Sequence, residues 1–216
     1  MNLQKLFETQ KILDDRIIEQ HGLEGQDLLA EKIIALQVEL AELAQEWRGF
    51  KFWSKDQKPR TSEKIECSTC VGTGDSNAEA NMEQMMEGNT GYPYEACEDC
   101  GETGIAGYRN PLLEEYVDCL HFILSIGLEI QVVNLAIIEP FIAKSGLVQQ
   151  FNVLFKHVGG MKIQLEADWH AAHKKYVHIV SLFAGLGEML GFTWEQIEQA
   201  YYDKNKINHT RQATGY

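Results

Sequence analysis

The sequence lacks the long apolar stretches and the excess of basic residues that mark several protein classes. No stretch approaches 18 uncharged apolar residues, and the first residues lack the apolar run of a signal peptide, so we expect a cytoplasmic protein with no membrane partner. Nineteen basic residues face 32 acidic ones, and the formal charge of -13 repels phosphate backbones. Nucleic acid is therefore not an expected partner.

Proline is also scarce, with four in 216 residues, at positions 59, 93, 111 and 140. Their spacing leaves long uninterrupted stretches that favour helix, and no run of alternating β-branched residues predicts a sheet. The sequence therefore predicts an all-α fold, a helical bundle long enough to bury a full core without disulfides.

Apolar periodicity and capping residues place the helices of this bundle. The first five are predicted at about 3–21, 27–47, 110–126, 131–158 and 163–190. The third has a strong start signal, because Asn110 is a capping residue and Pro111 suits the first helical position. Thr193 and Gln196 predict a capping box for a last helix that reaches about Lys206, with the residues beyond it ordered only by ligand.

Helical periodicity disappears between positions 56 and 107, where glycines accumulate. We interpret 56–107 as a small insert between the second and third helices of a domain that covers 1–55 and 108–216. Two CxxC pairs in the insert, Cys67 with Cys70 and Cys97 with Cys100, have the spacing of a tetrahedral structural zinc site, as in a zinc ribbon. Two disulfides are the alternative.

The segment 67–74 reads CxxCxGxG and is similar to the zinc knuckles of DnaJ-type chaperones. From 67 to 107 there are eight acidic residues and no Lys or Arg, so this insert is not expected to contact phosphate. A structural clasp or a docking surface for a protein fits its composition better.

Two groups of acidic residues carry the candidate chemistry. Glu39, Glu42 and Glu46 are spaced i, i+3, i+7 and form one stripe along the second helix. Glu115 and Asp118 repeat the i, i+3 spacing on the third helix, within an apolar sequence. A solvated helix face would explain the first stripe alone. Two such stripes facing each other would converge four carboxylates, the hard oxygen ligands that Mg²⁺ requires.

These acids resemble the signature of the all-α nucleoside triphosphate pyrophosphohydrolases, the MazG-like superfamily, with ExxE on one helix and ExxD on a later one. The matches are Glu39 to Glu42 and Glu115 to Asp118. The last residues, 204–216, are similar to the closing motif of the dimeric dUTPase family. The resemblance covers nearly everything outside the insert. The insert itself accounts for the long separation of 73 positions between Glu42 and Glu115.

The resemblance implies a homodimeric dUTP diphosphatase that releases dUMP and pyrophosphate and possibly hydrolyses dUDP. It implies that Mg²⁺ is held by the four acids, Glu39, Glu42, Glu115 and Asp118. Glu39 would also accept the proton of the attacking water. The phosphates would be held by the cations and the amide of the closing motif: Lys204, Asn208 and Arg211.

The resemblance also extends to the nucleoside pocket. Gln10 and Asp14 match residues that read the uracil edge, and His121 with Phe122 matches the wall around base and sugar. The aromatic segment that flanks the nucleotide includes Lys51 and Trp53. Taken alone, a Trp, Phe or His at these positions is more often a core residue, and only its place beside the acids favours a ligand contact.

Two alternatives remain open from the sequence. A MazG-like or dCTP-directed pyrophosphohydrolase would use the same acids with another base pocket. A noncatalytic, zinc-dependent adaptor would present the insert on a helical body, but would leave the pattern of the last residues unexplained. A panel of nucleotide substrates separates these possibilities.

Overall fold

A computed structural model of the chain describes residues 3–133, 135, 138–162 and 168–215. In chain order its elements are α1 (Leu3–His21), α2 (Leu29–Trp47), β1 (Glu63–Glu66), α3 (Ala78–Met86), β2 (Ile105–Arg109), α4 (Pro111–Glu129), α5 (Leu147–Gly159), α6 (Trp169–Leu190) and α7 (Trp194–Thr214). The chain forms two compact units, a helical unit of residues 1–59 and 112–216 and an insert unit of residues 60–111. The predicted all-α class is confirmed.

The helical unit is built around one apolar core. Helix α2 packs against α5, α5 packs against α6, and α1 packs against α7. Two buried tyrosines fix α4 against α6, because the hydroxyl of Tyr116 donates to the carbonyl of Phe183 at 3.0 Å and that of Tyr176 donates to Ile123 at 2.9 Å. These hydrogen bonds satisfy polar groups that burial would otherwise leave without a partner.

Local signals set most of the helix ends. Gly22 has a φ of +62° directly after α1, a conformation that glycine adopts without strain. Asp27 accepts a hydrogen bond from the backbone N–H of Leu29 at 3.1 Å, but the N-cap residue of α2 is Leu28, which makes no side-chain capping hydrogen bond. The predicted capping box between Thr193 and Gln196 is confirmed at the start of α7.

The predicted helix at 131–158 is wrong in its first half. The described residues between 130 and 147 are not helical, and α5 begins at Leu147. Gln131 has a φ of +59° and Gly146 a φ of +86°, and Pro140 cannot donate to a helical hydrogen bond. The apolar side chains described in this segment are partly buried, such as Val133, or exposed, such as Phe141, so apolar composition alone did not indicate helix. The predicted start of the next helix, at 163–167, lies outside the described residues.

The last helix continues to Thr214, beyond the predicted end near Lys206. Contacts with α1 hold the additional turns: the side chain of Gln20 donates to the carbonyl of Gln212 at 2.8 Å, and Arg16 lies 3.3 Å from the ring of His209. These tertiary contacts outweigh the weak helix propensity of the asparagines in this segment. Tyr216, the last residue of the closing motif, lies outside the described residues.

The insert unit contains a small antiparallel sheet that the sequence did not predict. Strand β1 pairs with β2 from Glu63 opposite Arg109 to Glu66 opposite Ile105, with a bulge after Ile65. Every residue of β1 is exposed, and β2 is partly buried only at Ile105 and Gly107, so neither strand has the alternating apolar sequence of a half-buried strand. The buried cluster of this unit consists of the four cysteines.

Within the described residues, no single helix is long and apolar enough to cross a membrane. Helices α6 and α7 reach the required length and apolar content only as a pair, which is bent by 107°. Both helices contribute side chains to the buried core of the helical unit.

Candidate active site and thiol cluster

Helices α2 and α4 bring three of the predicted acids together. One carboxylate oxygen of each of Glu39, Glu42 and Glu115 lies within 4.8 Å of the others. Glu42 and Glu115 are thus neighbours in the folded helical unit although they are separated by 73 positions in the sequence. Among the described residues, none of the three carboxylates forms an ion pair.

Burial and the nearby negative charges raise the pKa values of two of these acids, Glu39 and Glu115. Burial, and then the charges of Asp118 and Glu42, raise the pKa of Glu39 to about 7. Burial, followed by Asp118, Glu42 and Glu39, raises the pKa of Glu115 to about 7. Carboxylates that repel one another and form no ion pair of their own are a suitable donor set for a hard divalent cation.

Asp118, the fourth predicted acid, is paired differently. Its Oδ2 accepts a hydrogen bond from the ammonium of Lys204 at 2.5 Å. Burial raises the pKa of Asp118, while the hydrogen bond from Lys204 lowers it. The structure thus brings three acids into one cluster and joins the fourth to a cation of the closing motif.

A cavity of about 240 Å³ opens beside Glu39 and Asp118. Its other lining residues come from α1, α4 and α7, and they are Gln10, Leu13, Asp14, Ile17, His121, Phe122, Ser125, Lys204, Asn208 and Arg211. Seven of these ten residues are the ones that the resemblance assigns to nucleotide binding. We call this space the acid-lined cavity.

His121 has an unused acceptor in this cavity. Gln10 donates through Nε2 to Asp14 at 2.7 Å, so its Oε1 is an acceptor, and it accepts from the hydroxyl of Tyr201 at 2.9 Å. Because His121 Nδ1 lies 2.7 Å from the same oxygen, Nδ1 carries the proton and Nε2 is an acceptor. Burial lowers the pKa of His121 to about 3, and its buried Nε2 has no hydrogen-bond partner among the described residues.

Asp14 is held by three neighbours. Besides Gln10, the hydroxyl of Ser125 donates to its Oδ2 at 2.5 Å, and the ammonium of Lys32 lies 3.8 Å from the same oxygen. Burial raises the pKa of Asp14. The sequence interpretation missed Ser125 and Lys32, although Ser125 follows His121 by four positions on α4 and so shares its face.

Two predicted nucleotide contacts lie away from the acid-lined cavity. The side chain of Trp53 is 66% exposed and packs edge-on against Phe50 and Phe52, with ring centroids 5.8 and 4.9 Å apart. The ammonium of Lys51 lies over the ring of Phe50, 5.8 Å from its centroid. Neither residue is among the described lining residues of the cavity.

A larger cavity, of about 420 Å³, lies among α1, α4 and α6. Its described lining contains no acidic or basic side chain and is formed by residues such as Phe7, Leu120 and Val180. Its described lining therefore offers no charged group for phosphate or metal binding, and the smaller acid-lined cavity is the better candidate active site.

The four cysteines of the insert form a thiol cluster. Their four Sγ atoms all lie within 4.8 Å of one another, with 3.9 Å between those of Cys67 and Cys97 and 3.7 Å between those of Cys70 and Cys100. All are free thiols, so the alternative of two disulfides is not what the structure contains. The cluster can bind a metal ion such as zinc.

The two cysteine-containing turns support each other symmetrically. The backbone N–H of Cys67 donates to the carbonyl of Gly104, and that of Cys97 donates to Gly74, both at 2.9 Å. The same two glycines donate through their N–H groups to the sulfurs of Cys100 and Cys70. A hydrogen bond from the backbone of Cys70 lowers the pKa of Cys67 to about 7, which favours the thiolate form that binds metals.

Gly74 and Gly104 are required at these positions. Their φ angles are +81° and +70°, and an added Cβ would lie 2.3 Å and 2.1 Å from a backbone carbonyl oxygen of the opposite turn. The two turns differ in sequence at one pair of positions, where the first has Val71-Gly72 and the second has Gly101-Glu102. Both turns still have the same backbone conformation there, because the non-glycine residues Val71 and Glu102 also adopt positive φ angles.

Comparison with known proteins gives one result. A family model described as dUTPase matches residues 2–69 and 106–216, and the unmatched residues lie within the insert unit. No curated protein and no solved structure matches the chain. The match covers most of the chain, including both helices of the acid cluster and the whole of the closing motif. The chain belongs to the dUTPase family.

Proposed function

We propose that this protein is a dUTP diphosphatase, which hydrolyses dUTP to dUMP and pyrophosphate. The observation that carries the proposal is the composition of the acid-lined cavity. It combines acids (Glu39, Asp118), phosphate-binding cations (Lys204, Arg211) and a buried, unpartnered acceptor on His121. A nucleotide presents the matching parts, a polyphosphate and a nucleoside with hydrogen-bond donors.

The acid cluster fits a catalytic metal. Glu39, Glu42, Glu115 and Asp118 would hold Mg²⁺, which when bound neutralises phosphate charge and lowers the pKa of an attacking water. Glu39 lines the cavity, so its carboxylate is placed to accept the proton that the water releases as its oxygen bonds to phosphorus. The bond from phosphorus to the bridging oxygen then breaks and pyrophosphate leaves.

Lys204 would change partners on substrate binding. In the chain alone its ammonium is bonded to Asp118, and both groups line the cavity. A triphosphate offers Lys204 a stronger anionic partner, and Asp118 then becomes available to the metal. Asn208 and Arg211 follow Lys204 by one and two helical turns and would bind the same phosphates.

The nucleoside would be recognised by the other end of the cavity. Gln10, Asp14 and His121 are connected by hydrogen bonds and are therefore oriented before the ligand arrives. We propose that the Nε2 atom of His121 accepts a hydrogen bond from the nucleoside and that Phe122 packs against it. Lys51 and Trp53 would contact the nucleotide from the exposed segment after α2.

The thiol cluster would hold one structural zinc ion per chain through Cys67, Cys70, Cys97 and Cys100. Four sulfurs with no open coordination position are typical of structural rather than catalytic zinc. Nothing else in the insert unit forms a buried cluster among the described residues, so the metal would take the place of an apolar core.

We further propose that the protein is a homodimer. The apolar side chains of Ile34 and Val38 lie one turn apart on α2, and they are 60% and 49% exposed. A second chain would cover such a strip. Sedimentation equilibrium should then give twice the chain mass of 24.5 kDa, and a single-chain mass at micromolar concentration would contradict it.

One observation favours a second substrate. Asp14 presents a carboxylate to the cavity, and the exocyclic amine of cytosine is a donor that a carboxylate can accept. A dCTP diphosphatase would use the same acids and the same phosphate-binding residues.

A nucleotide panel tests the proposal. The purified chain would be incubated with Mg²⁺ and equal concentrations of dUTP, dCTP, dTTP, UTP or dUDP, and products would be followed by phosphorus NMR. We expect kcat/KM to be highest for dUTP, with dUMP and pyrophosphate as products. A preference for dCTP would select the second substrate, and no hydrolysis of any nucleotide would favour a noncatalytic adaptor.

A further inference from the structure

A cavity between α5 and α6 is lined by basic side chains. Its volume is about 420 Å³, and its described lining consists of Lys156 and His157 from α5 and Lys174, Lys175 and His178 from α6. Five basic groups around one space are unexpected in a chain with a formal charge of -13. We call this space the basic cavity, and none of its residues lines the acid-lined cavity.

These groups lie close enough together to repel one another. None of the three lysines forms an ion pair with a described residue. Burial, and then His178, Lys175 and Lys156, lower the pKa of His157, and burial followed by Lys156 lowers that of Lys175. The rings of His157 and His178 also contact each other, with centroids 4.8 Å apart. An anion would relieve this repulsion.

Helix geometry accounts for only part of the cluster. Lys156 and His157 lie in the last turn of α5, where the helix dipole favours cations. Lys174, Lys175 and His178 lie in the first half of α6, where the dipole gives them no such stabilisation. The dipole of α6 therefore does not explain why these three residues lie together.

The backbone beside the cavity leaves room for one of the ammonium groups. A Cβ added at Gly160 would lie 2.8 Å from the Nζ atom of Lys175. The φ of Gly160 is -89°, which any residue adopts, so glycine is not needed there for backbone conformation. Its missing side chain instead lets Lys175 approach the end of α5, next to Lys156 and His157.

We propose that the basic cavity binds a compact, multiply charged phosphate anion of the diphosphate class. Several converging cations match two linked phosphates better than a singly charged anion. An extended nucleic-acid backbone is disfavoured, because beyond this cavity it would meet the net negative charge of the chain. The site does not depend on the proposed enzymatic function.

Calorimetry with inorganic pyrophosphate tests the site, in the absence of divalent metal and at low salt. The starting protein carries Lys204→Gln and Arg211→Gln, which weaken phosphate binding in the acid-lined cavity. We expect it still to bind pyrophosphate. Adding Lys174→Gln and Lys175→Gln should weaken this binding roughly tenfold or more for each lysine removed, since each loses a charge-assisted hydrogen bond. Lys64→Gln, in β1 of the insert unit, removes an exposed charge elsewhere and should change nothing.

Two further measurements identify the ligand and test whether the substitutions unfold the protein. ADP presents the same diphosphate on a nucleoside, so tighter binding of ADP than of pyrophosphate would identify a nucleotide as its source, and equal binding would identify the free anion. Without ligand, the Lys174→Gln and Lys175→Gln protein should melt at the same temperature or higher, because repulsion is reduced. The proposal is overturned if the starting protein binds no pyrophosphate, if the two α6 substitutions leave its affinity unchanged, or if single-stranded DNA binds this cavity more tightly.

Discussion

The thiol cluster of the insert unit and the acid cluster of the helical unit have opposite relations to the fold around them. The cysteines are themselves the buried cluster of their unit, and a backbone N–H group of the same turn donates to the sulfur of Cys70 and to that of Cys100. The acids Glu39, Glu42 and Glu115 lie at the edge of a large apolar core, and they repel one another.

This difference indicates a structural role for the thiol cluster and a chemical role for the acid cluster. A unit whose core is four sulfurs is expected to need its metal in order to fold. Acids that carry raised pKa values on a stable helical core store unfavourable electrostatic energy, which is typical of a functional site. Metal removal should therefore unfold the first unit and leave the second folded but inactive.

The largest expected effect is on the insert unit. Cys67→Ser combined with Cys97→Ser should abolish zinc binding and unfold residues 60–111, because about 10–16 kcal/mol of apparent binding energy is lost in sites of this type. Metal analysis after dialysis measures the zinc, and NMR amide spectra measure the order of the unit. Cys119→Ala is the matched control, since Cys119 is a buried thiol of the helical unit and should leave the zinc content at one per chain. An insert that stays ordered without metal would remove the contrast between the clusters.

The next effect concerns activity. Glu42→Gln should lower kcat/KM for dUTP by at least roughly 100-fold, because the proposed catalytic metal would lose a ligand. The metal-free variant should melt at the same temperature as the wild type or higher, since one repelling charge is gone. Glu31→Gln changes an exposed acid in the first turn of the same helix and should have neither effect. A Glu42→Gln protein that unfolds but keeps its specific activity when folded would contradict the assignment.

A smaller effect is expected at the nucleoside end of the acid-lined cavity. His121→Phe preserves an aromatic ring against Tyr201 but removes the acceptor at Nε2 and the donor to Gln10. Because one or two hydrogen bonds are lost, kcat/KM for dUTP should fall by about 10- to 100-fold. The fall should be much smaller for inorganic triphosphate, if the chain hydrolyses it, and equal losses for both substrates would argue against a nucleoside contact.

The smallest effect is on pH dependence. In the metal-free chain, the pKa values of Glu39 and Glu115 are near 7, above the unfolded value of about 4.3. The folded state then binds more protons, so these acids reduce stability progressively as pH rises from about 4.3 through 7. Glu39→Gln should therefore melt roughly 2–4 °C higher than the wild type at pH 8, with a smaller difference at pH 5. Saturating Mg²⁺ should remove the advantage, and an equal advantage at both pH values would contradict the repulsion.

Local signals made much of the fold predictable. The glycine after α1, the Asn110-Pro111 start of α4 and the Thr193 capping box each act within a few residues, and the structure has each of them. The segment 131–146 was misassigned because its apolar residues carry no helical start or stop until Pro140. The end of α7 was misplaced because its stability comes from α1, about 190 positions away.

The candidate site divides in the same way. Spacing within one helix was enough to pair Glu39 with Glu42, but the partition of the acids into three that cluster and one that binds Lys204 depends on side-chain geometry. Ser125 and Lys32 were missed because their link to Asp14 joins three helices. The short strands of the insert were missed because β1 is exposed throughout and β2 is partly buried only at Ile105 and Gly107, so neither strand has an apolar face in the sequence.

One measurement tests the separation of the two clusters most directly. The zinc-loaded chain would be mixed with dUTP, and the rate of dUMP formation would be followed as Mg²⁺ is increased from zero, with zinc content measured at each point. We expect no dUMP without Mg²⁺, a saturable increase with Mg²⁺, and one zinc per chain throughout. Formation of dUMP in Mg²⁺-free buffer while zinc stays bound, or none at any Mg²⁺ concentration, would contradict the assignment of catalysis to the acid cluster.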